Sequence, residues 1–185
     1  AETLPYPFVT GPKTIHEPVP LGQYATGEVC MVTFRELAAL MVGIKGRGKS
    51  ALLNTHLAYL TGCSDAVVWM MDGKGGRTAR PWLQPFLDAV KAGQEGVPAL
   101  DWVAVSEPEY DAMLLGVNAA IKSRSRGAGD KINPSPATPS IILIVEEASV
   151  ITGTGNYGNV KRADLLKGAV VQGRLVHQDG TKSDK

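Results

Sequence analysis

The sequence predicts an α/β fold in which a parallel sheet is flanked by helices. Short apolar runs alternate with longer segments of helical periodicity, which is the order expected when parallel strands are joined by helical crossovers. The run from Ile141 to Val145 consists of branched apolar residues alone. Such continuity indicates a strand that is covered on both faces, as in a parallel sheet.

Four segments are predicted to form strands. Residues 38–42 are a short apolar run that ends at a glycine, and residues 66–72 are an apolar run that ends at a carboxylate. Residues 101–105 form a third apolar run, and residues 140–147 include the all-branched run and end at two glutamates. Ligands of parallel α/β sheets bind beyond the carboxyl ends of the strands. The residues that follow these strands are therefore the first candidates for a functional site.

Four other segments are predicted to form helices. Residues 51–60 carry leucines at helical spacing, with a glycine as stop signal at position 62. Residues 79–92 have a proline near their start, and a third helix opens at residues 107–109, where a proline and two glutamates suit a first turn. Residues 161–171 form the fourth. The third helix has an apolar face made of Tyr110, Leu114, Val117 and Ile121.

The remaining segments are predicted to be irregular. We expect residues 1–30, rich in Pro and Gly, to be an irregular or hairpin-forming lead-in and residues 31–185 to form the α/β domain. Glycines, prolines and charges predict loops at 123–139 and 152–159 and a polar tail over the last ten residues.

The composition indicates an ordinary soluble globular protein. Apolar residues make up 44% and charged residues 20% of the chain, which excludes wholesale disorder, a collagen and a disulfide scaffold. Apolar runs fall short of the ~20 residues of a membrane-spanning helix, and no signal peptide is visible. Cys30 and Cys63 have no metal-ligand spacing and are expected to be small buried residues in a reducing compartment. The net charge of +1 neither requires nor excludes a nucleic-acid partner.

Residues 43–50 read Gly-Ile-Lys-Gly-Arg-Gly-Lys-Ser and match the P-loop pattern in full. The glycines let the backbone curl so that N–H groups point at phosphate oxygens, and the following helix adds its positive end. Lys49 is predicted to reach the β- and γ-phosphates and Ser50 to offer its hydroxyl to Mg²⁺. The sequence thus predicts a P-loop nucleoside triphosphatase that binds ATP and Mg²⁺. The predicted nucleotide-binding residues are Gly43, Ile44, Lys45, Gly46, Arg47, Gly48, Lys49, Ser50 and Ala51.

Glu146 and Glu147 end the most apolar strand, where the second nucleotide motif belongs. We predict that Glu146 is a catalytic residue that holds the magnesium and that Glu147 polarises the attacking water. The common form of this pair is Asp followed by Glu, so the extra methylene of Glu146 makes its magnesium contact less direct. The alternative is an acidic pair that faces solvent.

Four further features are each open to two interpretations. The glycine-rich turn 72–76 lies near the nucleotide or is a tight turn with solvated charges. Arg174 is a candidate catalytic arginine finger for a neighbouring subunit or a surface arginine. The basic run 122–126 is a DNA-facing loop or a solvated face, and the side chains of Lys45 and Arg47 contact phosphate or point to solvent.

In combination, the P-loop, residues 67–76, Trp82 and residues 141–148 resemble the motor domain of FtsK/SpoIIIE-type DNA translocases. The branch that contains the actinobacterial TraB-like plasmid-transfer proteins is the most similar. Residues 48–54 resemble the P-loop helix of the family, and residues 72–76 resemble its Asp-x-Lys-Gly turn. The similarity covers roughly residues 20–176.

The resemblance implies a RecA-like fold, a hexameric ring, and ATP-driven movement of double-stranded DNA in chromosome or conjugative plasmid transfer. It also implies a cytoplasmic motor, tethered to the membrane by a separate N-terminal part. Glu146, Lys45 and Arg47 depart from the residues usual in the family. The family's last strand, with a polar sensor motif, is not legible before Lys185, and the chain lacks an initiator methionine, so we expect a truncated or diverged form.

Two alternatives to the translocase remain open. A type VII secretion-type ATPase shares the motor family but moves protein. A non-hydrolytic nucleotide-binding module would bind ATP and dock or assemble without turning it over.

Overall fold

The computed structural model describes residues 11–35, 37–44, 46–127, 132–153 and 157–178, without the side chains of residues 125–127, 157–159 and 171–178. The chain divides into two compact units. The first is Ala1–Val67 with Pro134–Ser140, and the second is Val68–Asn133 with Ile141–Lys185. The predicted boundary between residues 30 and 31 stays a prediction.

The first unit contains a hairpin and a helix. Strands β1 (Val19–Gln23) and β2 (Val29–Val32) pair antiparallel, and helix α1 (Lys49–Leu60) packs against β1. Of the two forms expected for residues 1–30, irregular or hairpin-forming, the described part contains a hairpin, whose second strand extends to Val32. Residues 1–10 lie outside the described residues. The helix predicted at 51–60 is confirmed. Its predicted apolar positions, Leu53, Leu57 and Leu60, are all buried.

The C-terminal end of α1 is anchored by a small buried cluster. Tyr59 packs with Val19 and Cys63, and its hydroxyl donates a hydrogen bond to the carbonyl oxygen of Thr14 at 3.1 Å. The buried Asp65 carboxylate accepts hydrogen bonds from the Ile15 N–H at 3.0 Å and from the Thr14 hydroxyl. These contacts fix the C-terminal end of α1, whereas its N-terminal end directly follows the glycine-rich loop.

The two cysteines are expected to differ strongly in reactivity. Burial raises the pKa of the Cys63 thiol to about 12, and its Sγ lies 3.6 Å from the carbonyl oxygen of Tyr59. Cys30 lies half-exposed on β2. Because the thiolate is the reactive species, iodoacetamide at pH 8 should modify Cys30 first, as read by peptide mass spectrometry. In denaturant both thiols should react, and equal rates in the folded protein would contradict this packing.

The prediction of a buried strand at residues 38–42 is wrong. Residues 37–44 are all described, form no strand, and expose most of their apolar side chains, with Leu40 86% and Val42 80% exposed. A short apolar run is compatible with a strand only when a neighbouring strand satisfies its backbone groups. Among the described residues, none pairs with this segment.

A three-stranded parallel sheet forms the centre of the second unit. Two of its strands begin in the first unit, with residues 66–67 and with residue 140. Strands β3 (Ala66–Asp72), β4 (Trp102–Ala104) and β5 (Ser140–Glu146) are arranged in the order β4-β3-β5. Trp69 pairs with Trp102, and Met71 with Ala104. Helices accompany the sheet, so the predicted α/β class with a parallel sheet and flanking helices is confirmed. The helices of this unit are α2 (Arg80–Lys91), α3 (Glu107–Gly127), α4 (Ala148–Thr152) and α5 (Tyr157–Gln178).

Helix α3 supplies three of the six buried residues of the main core cluster of this unit. Its residues Tyr110, Met113 and Leu114 pack with Met71 and with other buried side chains of the sheet and of α4. The predicted apolar face is confirmed, since Tyr110, Leu114 and Val117 are buried and Ile121 is half-buried. This packing lies directly behind the carboxyl end of β3.

Helix α5 is attached to α3 by a buried arginine. The Arg162 guanidinium donates to a carboxylate oxygen of Asp111 and to one of Glu107, both at 2.8 Å. Its own side chain is 2% exposed, whereas both carboxylates reach solvent. The pair satisfies a charge that would be costly to bury alone.

Several predicted boundaries change. Residues 123–127 continue α3, so the described part of the basic run at 122–126 lies on a helix and not in a loop. The predicted loop at 152–159 is shorter, because α4 reaches residue 152 and α5 begins at 157, with residues 154–156 outside the description. Strand β5 is half-buried over most of its length because it is one of the two outer strands of the described sheet. Among the described helices, none has the length and apolarity to cross a membrane.

Candidate functional site

The predicted phosphate-binding loop ends at the start of α1. Gly46 and Gly48 have φ angles of 79° and 84°, a region that glycine adopts without steric cost. Helix α1 begins at Lys49, has no acidic residue in its first turn, and has no side-chain cap at Gly48. Its first amide groups are therefore available to an anion, and the helix dipole favours negative charge at this end.

Lys49 folds back over this loop. Its ammonium group donates hydrogen bonds to the carbonyl oxygens of Gly43 and Ile44, the latter at 3.2 Å. Both acceptors are neutral, and an ionised phosphate oxygen is a stronger partner for an ammonium group. Ser50 is exposed in the first turn of α1. The loop thus presents a cation, a hydroxyl and an uncapped helix N-terminus.

The second group of candidate residues lies at the carboxyl end of the sheet, in the second unit. Strand β5 ends at Glu146, and the turn after β3 crosses over this end. The Gly73 N–H donates to the carbonyl oxygen of Glu146 at 3.0 Å. The acidic pair is thereby tied to the turn that follows Asp72. We call Glu146 and Glu147 the acidic edge.

Glu147 has an unusual backbone conformation. Among the described residues it is the one non-glycine with positive φ, at φ 58° and ψ 57°. This region costs a non-glycine residue about 1–3 kcal/mol and is common at functional sites. The carbonyl oxygen of Glu147 accepts a hydrogen bond from the Val150 N–H at 2.9 Å, and the Ser149 hydroxyl donates to its carboxylate at 3.1 Å. Helix α4 therefore fixes both the backbone and the side chain of Glu147.

Asp72 organises the turn and is not turned toward solvent. Its carboxylate is fully buried and accepts backbone hydrogen bonds from Lys74 at 2.9 Å, Thr78 at 2.7 Å and Ala79 at 3.0 Å. The Tyr110 hydroxyl donates to the Asp72 carbonyl oxygen at 3.1 Å. Asp72 therefore stabilises the turn from residue 73 to residue 79 through these hydrogen bonds.

Lys74 places its ammonium group on the acidic edge. Its Nζ donates to the Glu146 carboxylate and lies 3.7 Å from an Oε of Glu147. The hydrogen bond to Glu146 raises the pKa of Lys74 above that of an ordinary lysine, although burial opposes the change. The glycine-rich turn 72–76, for which the sequence allowed two interpretations, therefore contacts both predicted catalytic carboxylates through Lys74.

A methyl group at position 73 should disturb the acidic edge. A Cβ there would lie 3.0 Å from the Glu146 carbonyl oxygen, 3.1 Å from the Glu147 carbonyl oxygen and 3.3 Å from the Glu147 Cβ. These neighbours are mostly backbone and cannot rotate away. Gly73→Ala should therefore lower stability by about 1–3 kcal/mol, as overpacking does, and shift the edge, measured by denaturant unfolding.

Gly168→Ala is the matched control for this change. Gly168 lies within α5, and an added Cβ would meet one side-chain oxygen at 3.9 Å. Alanine is a better helix former than glycine, so this variant should be as stable as the parent or more so. If Gly73→Ala unfolded at the same denaturant concentration as the control, the close approach at the acidic edge would be wrong.

The other predicted site residues fall in different places. Lys45 lies outside the described residues. Arg47 and Ala51 are exposed, Arg47 in the loop and Ala51 in the first turn of α1. Arg174 lies within α5, and its side chain is outside the described part of the chain.

Sequence reasoning missed the roles of two residues that contact the acidic edge. Ser149 contacts Glu147 because a short helix begins directly after the strand, and nothing in the pattern predicted α4. Gly73 belongs to the predicted glycine-rich turn, but its role is to allow a close approach of two backbone segments. The signal that finds such a role is a glycine that directly follows a strand-ending carboxylate.

The donor chemistry of the predicted ligands suits Mg²⁺. Among the described residues, no group of three or more His, Cys, Asp or Glu side chains forms a metal site by itself. Mg²⁺, however, keeps several waters and is held by one or two carboxylates together with substrate phosphates. Glu146 already has a cation, the Lys74 ammonium, on its carboxylate. The residues present therefore fit such an ion.

Comparisons with family models, curated proteins and solved structures found no match for the chain. The resemblance to DNA translocases therefore stays a prediction that depends on the motifs.

Proposed function

We propose that this chain is an ATPase of the P-loop class that drives double-stranded DNA translocation. The observation that carries the proposal is the complete P-loop pattern at residues 43–50, followed at once by the uncapped N-terminus of α1. The finer assignment, a RecA-like motor that works as a hexameric ring in the cytoplasm, depends on the family resemblance. So does a membrane anchor in a separate segment.

Each residue has a chemical role in this proposal. Lys49 and the amides of the loop bind and orient the phosphates of ATP, and Glu147 accepts a proton from the attacking water. Ser50 and Glu146 would hold Mg²⁺, which stabilises the developing negative charge on the phosphates. Arg174 is proposed as an arginine finger supplied to a neighbouring subunit.

One observation favours a second candidate, a nucleotide-binding module without turnover. The Lys74 ammonium group pairs with Glu146 and lies 3.7 Å from a carboxylate oxygen of Glu147, so one cation already engages both the predicted metal ligand and the predicted base. This candidate predicts ATP binding without measurable hydrolysis at any protein concentration.

The proposal is tested by ATP hydrolysis with and without duplex DNA. A translocase should hydrolyse ATP faster when DNA is added, and the stimulation should fall as salt rises because binding to the DNA backbone releases counterions. The measurement needs a series of protein concentrations, since a ring forms by mass action. Hydrolysis that is indifferent to DNA would favour a motor that moves protein, as in type VII secretion. ATP binding without hydrolysis would favour the module.

A further inference from the structure

The turn that carries Lys74 is held rigidly against the acidic edge. Three backbone N–H groups of residues 74–79 donate to the buried Asp72 carboxylate, and the Gly73 N–H donates to Glu146. The position of the Lys74 backbone is therefore fixed by hydrogen bonds that do not involve its own side chain. The ammonium group reaches the acidic edge on a flexible four-carbon stem.

The Lys74 side chain is able to leave this position. It is 37% exposed, whereas the Glu146 side chain that it contacts is 18% exposed. Near the surface an ion pair of this kind gains little net free energy, because water competes for both partners. The carboxylate has the more confined position of the two, so the exchangeable partner in this pair is the cation.

A divalent cation and the Lys74 ammonium need the same oxygen atoms. Mg²⁺ binds carboxylate oxygen and excludes a competing cation from that atom, because like charges at contact distance repel each other. Two adjacent glutamates attract a cation, and within the chain the Lys74 ammonium group occupies that position.

From this geometry we infer that Lys74 is a positioning residue that competes with the divalent cation for Glu146 and so sets the metal concentration at which the acidic edge is loaded. The inference rests on the proposed function, in which Glu146 holds the metal. Its consequence is that Lys74 balances one of the two carboxylate charges until a metal ion displaces it.

Mn²⁺ titration followed by the electron paramagnetic resonance signal of the free ion tests this competition. The titration is made on the nucleotide-free chain, at high protein concentration because two carboxylates bind weakly, and again with a non-hydrolysable ATP analogue. Lys74→Met keeps the length of the side chain and removes its charge, and Lys74→Arg keeps the charge. Circular dichroism melts show whether each variant is folded.

Lys74→Met should bind Mn²⁺ about tenfold more tightly than the parent, which is the order expected for removal of one neighbouring charge near the surface. Lys74→Arg should stay close to the parent, and the gain should vanish in the double variant Lys74→Met with Glu146→Gln. Unchanged or weaker Mn²⁺ binding by folded Lys74→Met would overturn the inference, since a merely structural lysine gives no gain.

A measurement on the unsubstituted chain covers the case in which Lys74→Met does not fold. Acetylation of Lys74 by an N-hydroxysuccinimide ester, read by mass spectrometry, should be faster with Mg²⁺, while Lys91 in α2 should react at an unchanged rate. Equal Lys74 rates with and without Mg²⁺ would overturn the inference.

Failure of this inference is distinguishable from failure of the proposed function. If ATP does not bind, or binds independently of Lys49, the proposed function fails, and the nucleotide-free Mn²⁺ titration still tests Lys74. If ATP binding depends on Lys49 and Lys74→Met gains no Mn²⁺ affinity, the lysine inference alone fails.

Discussion

Lys49→Ala is expected to weaken ATP binding by about 100-fold or more, because charge-assisted hydrogen bonds contribute about 1.5–3 kcal/mol each and this lysine is predicted to contact two phosphates. Its ammonium group already lies over the loop, on the carbonyl oxygens of Gly43 and Ile44. The change leaves the buried face of α1 intact. Titration with a fluorescent ATP analogue measures the loss.

Lys91→Ala is the control for this prediction. Lys91 is exposed in the last turn of α2, so the variant loses the same charge away from the loop. It should bind ATP as the parent does, and both variants should melt at similar temperatures. Equal ATP affinity in Lys49→Ala and Lys91→Ala would rule out nucleotide binding at residues 43–50.

Glu147→Gln is expected to lower the rate of ATP hydrolysis by about 100-fold to 1,000-fold and to leave ATP binding nearly unchanged. General base catalysis contributes about 10² to 10⁴ in rate, and glutamine keeps the size of the side chain but cannot accept the proton. The backbone of Glu147, with its positive φ, is unaffected by this substitution. Phosphate release under saturating ATP measures the change.

Glu95→Gln is the corresponding control. Glu95 is exposed after α2, and its substitution removes one negative charge without touching the acidic edge. It should leave hydrolysis unchanged. If Glu147→Gln hydrolysed ATP as fast as Glu95→Gln, Glu147 would not be the base, and Glu146 or a residue supplied by another subunit would have to take that role.

Much of the parallel sheet was predictable from the pattern of apolar residues. The limits of β3 and the last apolar residues of β5 follow from runs that end at carboxylates, and α1 follows from leucines at helical spacing after a glycine turn. These signals are local, and hydrophobic periodicity records them directly.

The structural predictions that failed have a common physical cause: the structure of these segments depends on residues that are distant in the sequence. Residues 38–42 have the composition of a strand, yet strand formation requires a pairing partner that composition does not reveal. The half-burial of β5 likewise follows from its outer place in the sheet order. Helix α4 is short, and its start depends on the left-handed backbone of Glu147.

The candidate site was predictable residue by residue but not in its contacts. The motifs identified Lys49, Ser50, Glu146 and Glu147 by residue type and spacing. The contacts depend on how the turn after β3 meets the end of β5. There the Asp72 carboxylate accepts hydrogen bonds from backbone amides, and Lys74 pairs with both glutamates. Such a meeting joins residues far apart in the chain, and the local pattern contains no record of it.

The most direct test of the central claim is ATP hydrolysis by the parent chain, Lys49→Ala, Glu147→Gln and the double variant, in the presence of duplex DNA. Residues that act in one reaction give strongly non-additive losses. We therefore predict that each single variant loses nearly all activity and that the double variant is no slower than the slower single one. Two results would contradict the claim that Lys49 and Glu147 act in one ATPase site. One is a parent activity no higher than that of the double variant, and the other is a double-variant loss equal to the product of the two single losses.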